Sequence, residues 1–352
     1  MLFKLTNLAQ LDTFEDILDA RTPDEYGLDH IPNAMNTPTL NNEERIIVGT
    51  LYKQTSAFEA KKRGAAIAAR NIATHIESLF MNKPRSWNPL VYCWRGGNRS
   101  GSMVTILRAI GWQAQQLEGG HKAYRKLVVD SLEILPKNYR FQVIGGTTGS
   151  GKSALLAELM HQGAQVLDLE TLAQHRGSVL GRFANIAQPS QKWFDSQLAN
   201  TLRQFNPEYT VFVEAESKKI GKIALPDSLM TRIRSAPICE VQTPIESRVE
   251  YLLQDYAEYV AYPERLKQQL SYLLPVLGHE QLNLWYQQID SSAFDEVTRS
   301  LLITHYDPLY HRAFMQQKET HSVIQQITLN DLSQISLQTA AKQLILSNNN
   351  NE

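Results

Sequence analysis

The chain has only two cysteines in 352 residues, Cys93 and Cys239, 146 positions apart. That spacing and count exclude a disulfide framework and a cysteine-based zinc site, so any cysteine chemistry must be that of a lone thiol. No stretch approaches the ~18 to 20 consecutive apolar residues of a membrane span. The opening MLFKLTNLAQLDTFEDILDA carries acids where a signal peptide has a basic head and an apolar run, which places the expected location in the cytoplasm, away from membranes. Charge is modest at 20% and hydrophobic residues reach 43%, which excludes a disordered, collagen-like or coiled-coil chain. There is no internal repeat. At ~100 to 200 residues per domain, the length predicts two domains and an extension.

The formal net charge of -1 conceals a gradient. Residues 1–60 hold about ten acids against four bases, and residues 61–140 about fourteen bases against four acids. The basic belt includes Lys61, Lys62, Arg63, Arg70, Arg95, Arg99, Arg108, Lys122, Arg125, Lys126, Lys137 and Arg140. It suits a polyanion if it gathers on one face, since each neutralised phosphate releases counterions; otherwise it is a solvated helix surface. Two strand–turn–helix units stand out, at 89–111 and 139–163, joined by the proline-bearing SLEILPKNY. After about residue 245 the pattern becomes helical until VIQQITLN. The predicted organisation is a first domain over 1–135, a second domain core over 136–245, and a helical subdomain over 246–352 that completes the second domain.

Cys93 follows the strand-like LVY and opens the loop Cys93-Trp94-Arg95-Gly96-Gly97-Asn98-Arg99-Ser100, after which MVTILRAI reads as a helix. The sulfur therefore stands at a helix N-terminus, where free N–H groups and the positive end of the helix favour a thiolate. Arg95 and Arg99 add positive charge. Gly96 and Gly97 let the loop curl its amides around a tetrahedral or sulfur-centred anion. Cys93, Arg95 and Arg99 are the expected reactive set, and Trp94, Gly96, Gly97, Asn98 and Ser100 the expected anion loop. Cys239, in the apolar SAPICEVQTP, reads as structural.

Gly146-Thr147-Thr148-Gly149-Ser150-Gly151-Lys152-Ser153 satisfies G-x-x-x-x-G-K-S between the apolar strand FQVIG and the helix ALLAELM. These eight residues are expected to bind phosphate. The backbone amides cradle a di- or triphosphate, Lys152 reaches its terminal phosphates, and Ser153 meets a magnesium ion if one binds. TVFVEAESKKIG ends in Glu214 where an aspartate usually holds the metal shell, and Asp168 ends QVLD. The substitution argues against vigorous nucleotide hydrolysis and leaves a non-hydrolytic diphosphate site open. Loops after parallel strands line the ligand crevice, so Asp168, His175, Arg176, Glu214, Glu216, Ser217, Lys218 and Lys219 are candidate contacts to substrate phosphates or RNA. Trp285, Tyr286, Tyr306 and Tyr310 are either core or stacking platforms for bases.

Upstream of the cysteine loop, ILDARTPDEYGLDHIPNAMNTP resembles the entry motif of the rhodanese superfamily, and GWQAQQLEGGHKAYR downstream resembles its closing segment. The resemblance spans roughly residues 5–130 and implies a cysteine that carries sulfur or selenium. It also implies a structural Asp19–Arg21 ion pair and a packing role for His30. The loop reads Cys-x5-Arg, one residue longer than the commonest single-domain rhodanese loop, which widens the anion pocket toward a phosphate-bearing donor or a phosphatase. The fold class is thus α/β: a rhodanese-like domain, a P-loop parallel-sheet domain and a helical C-terminal extension.

With IGGTTGSGKS, DLETLAQHRGS and VEAESKKIG following CWRGGNRSGS in that order, the whole chain resembles the bacterial tRNA 2-selenouridine synthase family. The resemblance implies replacement of sulfur by selenium in tRNA 2-thiouridine at the wobble position. Its co-substrates would be selenophosphate and geranyl diphosphate, through an S-geranyl-2-thiouridine intermediate, with no tightly bound cofactor and with tRNA as partner. The competing readings are a sulfurtransferase coupled to a P-loop ATPase or kinase, a cysteine-dependent phosphatase, and a non-enzymatic tRNA-binding or redox-sensing module.

Overall fold

The computed structural model describes residues 5–6, 8–178, 180–181, 186–318 and 324–349. The chain divides into two compact units, residues 1–131 with 190–200, and residues 132–189 with 201–352. The first break therefore falls between Ser131 and Leu132. Residues 190–200 lie with the first unit although they follow the phosphate loop in sequence.

In the first unit, strands β1 (Leu5–Thr6), β2 (Asp16–Asp19), β3 (Met35–Asn36), β4 (Pro89–Tyr92) and β5 (Gln115–Leu117) form one sheet in the order β1-β5-β4-β2-β3. Every pairing is parallel. A parallel sheet covered by helices buries both faces, and all four residues of β4, PLVY, are buried accordingly. Helices α1 (Pro23–Leu28), α2 (Asn42–Gln54), α3 (Ala57–His75), α4 (Asn98–Ile110) and α5 (Gly120–Ile134) supply the cover. Capping boxes start two of them: Thr22 with Glu25 on α1 and Asn41 with Glu44 on α2. Gly111, at φ 113, ends α4 in the left-handed conformation that glycine adopts without cost. The core packs Leu18, Ile72, Val91, Met103 and Leu107 around the aromatic cluster of Phe80, Trp87 and Trp112, and it includes Cys93.

Where β2 leaves the sheet, the Arg21 guanidinium clasps both carboxylate oxygens of Asp19, with Nη2 at 2.6 Å from Oδ2. The Tyr92 hydroxyl donates to the same carboxylate at 2.7 Å, and Arg21 also donates to the Asp29 carbonyl oxygen at 2.6 Å. His30 stacks between Tyr26 and Trp193, with ring centroids 3.8 and 3.9 Å apart. Both groups brace the fold, as the resemblance implied.

In the second unit, β6 (Phe141–Gly145), β7 (Gln165–Leu167), β8 (Val211–Glu214), β11 (Ile238–Gln242) and β12 (Ile324–Thr328) form a sheet in the order β12-β11-β6-β8-β7, while β9 (Lys219–Ile220) and β10 (Ile223–Ala224) make a separate antiparallel pair. The sheet is again parallel throughout. β6 is central, flanked by β11 and β8, and feeds α6 (Lys152–His161) through the glycine loop. The chain after residue 245 returns to the sheet as β12, and the helix Gln334–Asn349 then packs Leu337, Ala341 and Leu344 against Leu155 and Leu159 of α6. Between these, helices from Ile245 to Tyr306 enclose a second core that holds Leu266, Leu270, Leu282, Trp285, Val297 and Leu301. Among the described residues, no helix is long and apolar enough to cross a membrane.

Arg21 and Asp19 are 2% and 0% exposed, so removing one partner strands a buried charge. Arg21→Ala should cost about 3–5 kcal/mol in urea unfolding followed by the fluorescence of Trp87 and Trp112. Asp19→Asn with Arg21→Met, which removes both charges, should cost markedly less.

Candidate active sites

The first site forms where β4 stops in the middle of its sheet. Cys93 is 3% exposed. Its Sγ accepts the Gly97 N–H at 3.3 Å and the Ser100 hydroxyl at 3.1 Å. Gly97 is the N-cap of α4 and Asn98 its first residue, so the sulfur does sit at a helix N-terminus. Ser100 is fully buried, and its hydroxyl also accepts from the Gln116 side chain at 2.8 Å. Gln116 donates as well to the Gly97 carbonyl oxygen at 3.0 Å, so one β5 side chain holds both groups that address the sulfur.

The loop is closed from outside by the turn into α5. His121 and Lys122 donate backbone N–H bonds to the carbonyl oxygens of Cys93 and Trp94, at 2.8 and 2.9 Å. Gly96 and Gly120 both take positive φ, 67 and 56. A Cβ on Gly120 would lie 2.2 Å from the Cys93 carbonyl oxygen and 2.6 Å from the Gly96 nitrogen, so only glycine fits there.

The two arginines differ. Arg95 is exposed, whereas Arg99 is held by Glu25 of the α1 capping box, 2.5 Å from Nη1 to Oε2. Arg99 therefore ties α4 to α1 in this conformation. Trp94 is 39% exposed beside the His121 ring. Sequence reading missed Gln116, Glu25 and Gly120. The Gly119-Gly120 pair was visible within the closing segment, but a lone glutamine on a short strand carries no signal.

The second site is the glycine loop after β6, at the mouth of a cavity of about 640 Å³. Gly146, Gly149 and Gly151 all take positive φ. Lys152 folds over its own loop and donates to the carbonyl oxygens of Gly146 and Thr147 at 2.7 and 3.0 Å. Burial holds its ammonium below the usual lysine range. Arg248 braces the loop from the helix Ile245–Asp255: it donates to the Thr148 carbonyl oxygen at 2.9 Å and forms a bidentate pair with Asp307.

Carboxylates crowd opposite Lys152. Asp168, Glu170 and Glu216 line the cavity, and Glu214, buried behind it, accepts the Glu170 backbone N–H at 2.8 Å. Burial and the neighbouring Glu216 push the Glu170 carboxyl up to about 8. Burial, then Asp168 and Glu170, pushes Glu214 well above the carboxylate range. Ser153 Oγ lies 3.4 Å from Glu170. Among the described residues, no three acidic, histidine or cysteine side chains are arranged to hold a metal ion. Ser153, Asp168 and Glu170 are the oxygen donors that would hold a magnesium ion if one arrived on a phosphate.

The remaining candidates separate. Arg176 and Ser217 line the cavity. Arg176 is engaged with Asp255 and Glu258 and stacks 4.4 Å over the Tyr256 ring. His175 is buried and accepts the Gly177 N–H on Nδ1 at 3.1 Å, a brace for the loop. Lys218 and Lys219 are exposed on the β9 side and do not line the cavity, and Lys218 pairs with Asp227. Tyr306 and Tyr310 reach the cavity, whereas Trp285 is fully buried and donates to Ser300. Cys239 is buried in the sheet core beside Leu155 and Val241, with its thiol pushed up to about 12 by burial, which makes it inert. Of the basic belt, Lys61, Lys62, Arg63 and Arg70 are exposed along α3, while Arg125 is bound to Asp29 and Asp195.

The family model for the tRNA 2-selenouridine synthase AAA domain matches residues 139–342, and that for the rhodanese-like domain matches residues 5–127. Curated relatives carry the first name. The tRNA 2-selenouridine synthase of Nitrosomonas europaea is 36% identical over 259 residues, which are 72% of this chain and 66% of that protein, just under two thirds. That of Shewanella halifaxensis is 31% identical over 84% of this chain and 87% of its own. That of Shewanella woodyi is 29% identical over 89% and 94%.

The acid cluster sets a pH dependence. In the unfolded chain Glu170 ionises near 4.5, whereas in the fold it keeps its proton to about 8. Its contribution to stability is full below pH 4.5 and is lost as pH rises to about 8. Glu170→Gln, neutral at every pH, should therefore raise the melting temperature relative to the native protein at pH 8 and leave it nearly unchanged at pH 4.5, read by calorimetry.

Proposed function

The chain belongs to the tRNA 2-selenouridine synthase family, and from that premise we propose that it exchanges sulfur for selenium at C2 of 2-thiouridine in tRNA, in two steps that use its two anion sites separately. The observation that carries this reading is the pairing, in one chain, of a cysteine whose sulfur meets the N–H at a helix start with a glycine phosphate loop beside an acidic cavity.

In the first step the phosphate loop binds geranyl diphosphate, with magnesium carried on the phosphates. The C2 sulfur of the uridine attacks the allylic carbon and N3 loses its proton. The carbon–oxygen bond breaks and its electron pair leaves on diphosphate, which Lys152 and the loop amides stabilise. The product is a thioether at C2, a competent leaving group.

In the second step the loop of Cys93 receives selenophosphate at the N-terminus of α4, and Cys93 positions its selenium against C2 without forming a sulfur–selenium bond. Selenium already arrives at the selenide level, so the exchange needs no oxidant or reductant. A carbon–selenium bond forms at C2, the carbon–sulfur bond breaks and the geranyl thiolate departs. Water cleaves the selenium–phosphorus bond to release phosphate. The exposed lysines and arginines of α3 suit the tRNA backbone.

Purified protein should be incubated with 2-thiouridine tRNA and geranyl diphosphate, selenophosphate or both, and the nucleosides identified by mass spectrometry. Geranylated and then selenium-containing uridine is the expected outcome. Cys93→Ser should abolish selenium incorporation and spare geranylation, and Lys152→Ala should slow geranylation roughly 10²-fold. Unchanged 2-thiouridine under all conditions, with ATP hydrolysed instead, would establish the sulfurtransferase coupled to an ATPase.

A further inference from the structure

The phosphate cavity does not end at polar groups. Thr148, inside the glycine loop, together with Ser178, Leu252, Tyr256 and Tyr306, also lines a second, narrow cavity that continues into the helical part of the second unit. Its volume is about 70 Å³, room for roughly five water positions at ~10–15 Å³ each, which is a slot and not a chamber. Beyond the shared rim its walls are Leu253, Tyr259, Val260, Leu266, Val297 and Leu301. Among the described residues, no charged side chain lines it.

From this continuity we infer that the slot is the hydrocarbon subsite of the phosphate loop and sets the length of the chain that its diphosphate ligand carries. The inference deepens the proposed binding of geranyl diphosphate and rests on it. Three features select an isoprenoid over a nucleotide. A nucleobase brings several hydrogen-bonding edge atoms, and burying them against leucine and valine would leave them unpaired at ~1–3 kcal/mol each. One face of Tyr256 is already covered by Arg176, and the Tyr259 ring lies nearly parallel 6.0 Å away, which restricts stacking. A flexible chain can bend to follow walls contributed by several helices, which a rigid bicyclic ring does not.

Position adds to composition. Thr148 of the glycine loop lines both cavities, so a diphosphate on that loop stands beside the slot. The far walls belong to the tightly packed core around the fully buried Trp285, which limits depth. Tyr256 and Tyr306 stand at the rim, where the allylic carbon joins phosphate to chain.

The test measures affinity of the full-length protein for inorganic diphosphate, dimethylallyl diphosphate and geranyl diphosphate, without tRNA, by calorimetry. Affinity should rise with chain length and reach at least about tenfold tighter for geranyl than for inorganic diphosphate, from apolar burial. Thr298, a half-buried wall residue, is the place to plug the slot. Thr298→Phe should bind inorganic diphosphate as the native protein does, which also reports that the loop is folded, and should lose the gain from the chain. Val260→Phe, at a partly exposed wall, is the second plug. Equal affinity of the native protein for inorganic and geranyl diphosphate would overturn the slot alone. So would a chain-dependent gain that survives both plugs. Failure of every diphosphate to bind would overturn the phosphate-loop reading itself and the slot with it.

Discussion

A parallel strand that ends in the middle of a sheet must turn at once into a helix, and at that turn its last carbonyls and the first N–H groups of the helix converge with no partner strand to satisfy them. Both sites of this protein are built on that constraint. β4 ends at Cys93 and β6 ends at the phosphate loop, each flanked by a strand on either side. In each case the chain is bent by glycines in the left-handed region, which brings N–H groups at the helix start to the end of the strand, where an anion can meet them. The close approach of Gly120 to the Cys93 carbonyl shows how little room this leaves. A single added carbon would force the cradle apart.

The two cradles are tuned by different neighbours. Around Cys93 the tuning is by neutral hydrogen bonds: Gln116 orients Ser100 and Gly97, which in turn address the sulfur. Around the phosphate loop it is by charge. Lys152 is desolvated and rests on its own loop carbonyls, and the carboxyls facing it resist ionisation because they are buried together. On the proposed reading a bound diphosphate would exchange the lysine's carbonyl bonds for charged ones, and protonated carboxyls would lessen the repulsion that an arriving anion meets. The same crowding that costs stability at high pH thus suits the site to a polyanionic ligand.

Much of this was legible in the sequence because it is local. The G-x-x-x-x-G-K-S run and the cysteine loop each lie within ten residues and are bounded by a strand and a helix, so motif and context confirm one another. The buried Asp19–Arg21 pair and the packing of His30 followed from resemblance in the same local way. What sequence reading scattered, the fold sorted. Of the candidate contacts, Asp168, Arg176, Glu216 and Ser217 reach the phosphate cavity, while Lys218 and Lys219 face solvent and His175 braces a turn. Arg99 turned from the sulfur's expected partner into the partner of Glu25, 74 residues away.

The sequence by itself determined the chemistry on offer, one thiol and one phosphate loop, because strand, glycine turn and helix are encoded by neighbours along the chain. Only the tertiary structure decided what surrounds them. Glu170 meets Glu216, Arg248 meets Thr148, and leucines from helices after residue 245 form a slot beside a loop at residue 148. These pairings join positions about 45 to 150 apart, and no periodicity records which buried face will close over which loop. The physical reason is that burial, which sets both the proton affinity of a carboxyl and the shape of an apolar slot, is a property of the packed chain and not of any segment within it.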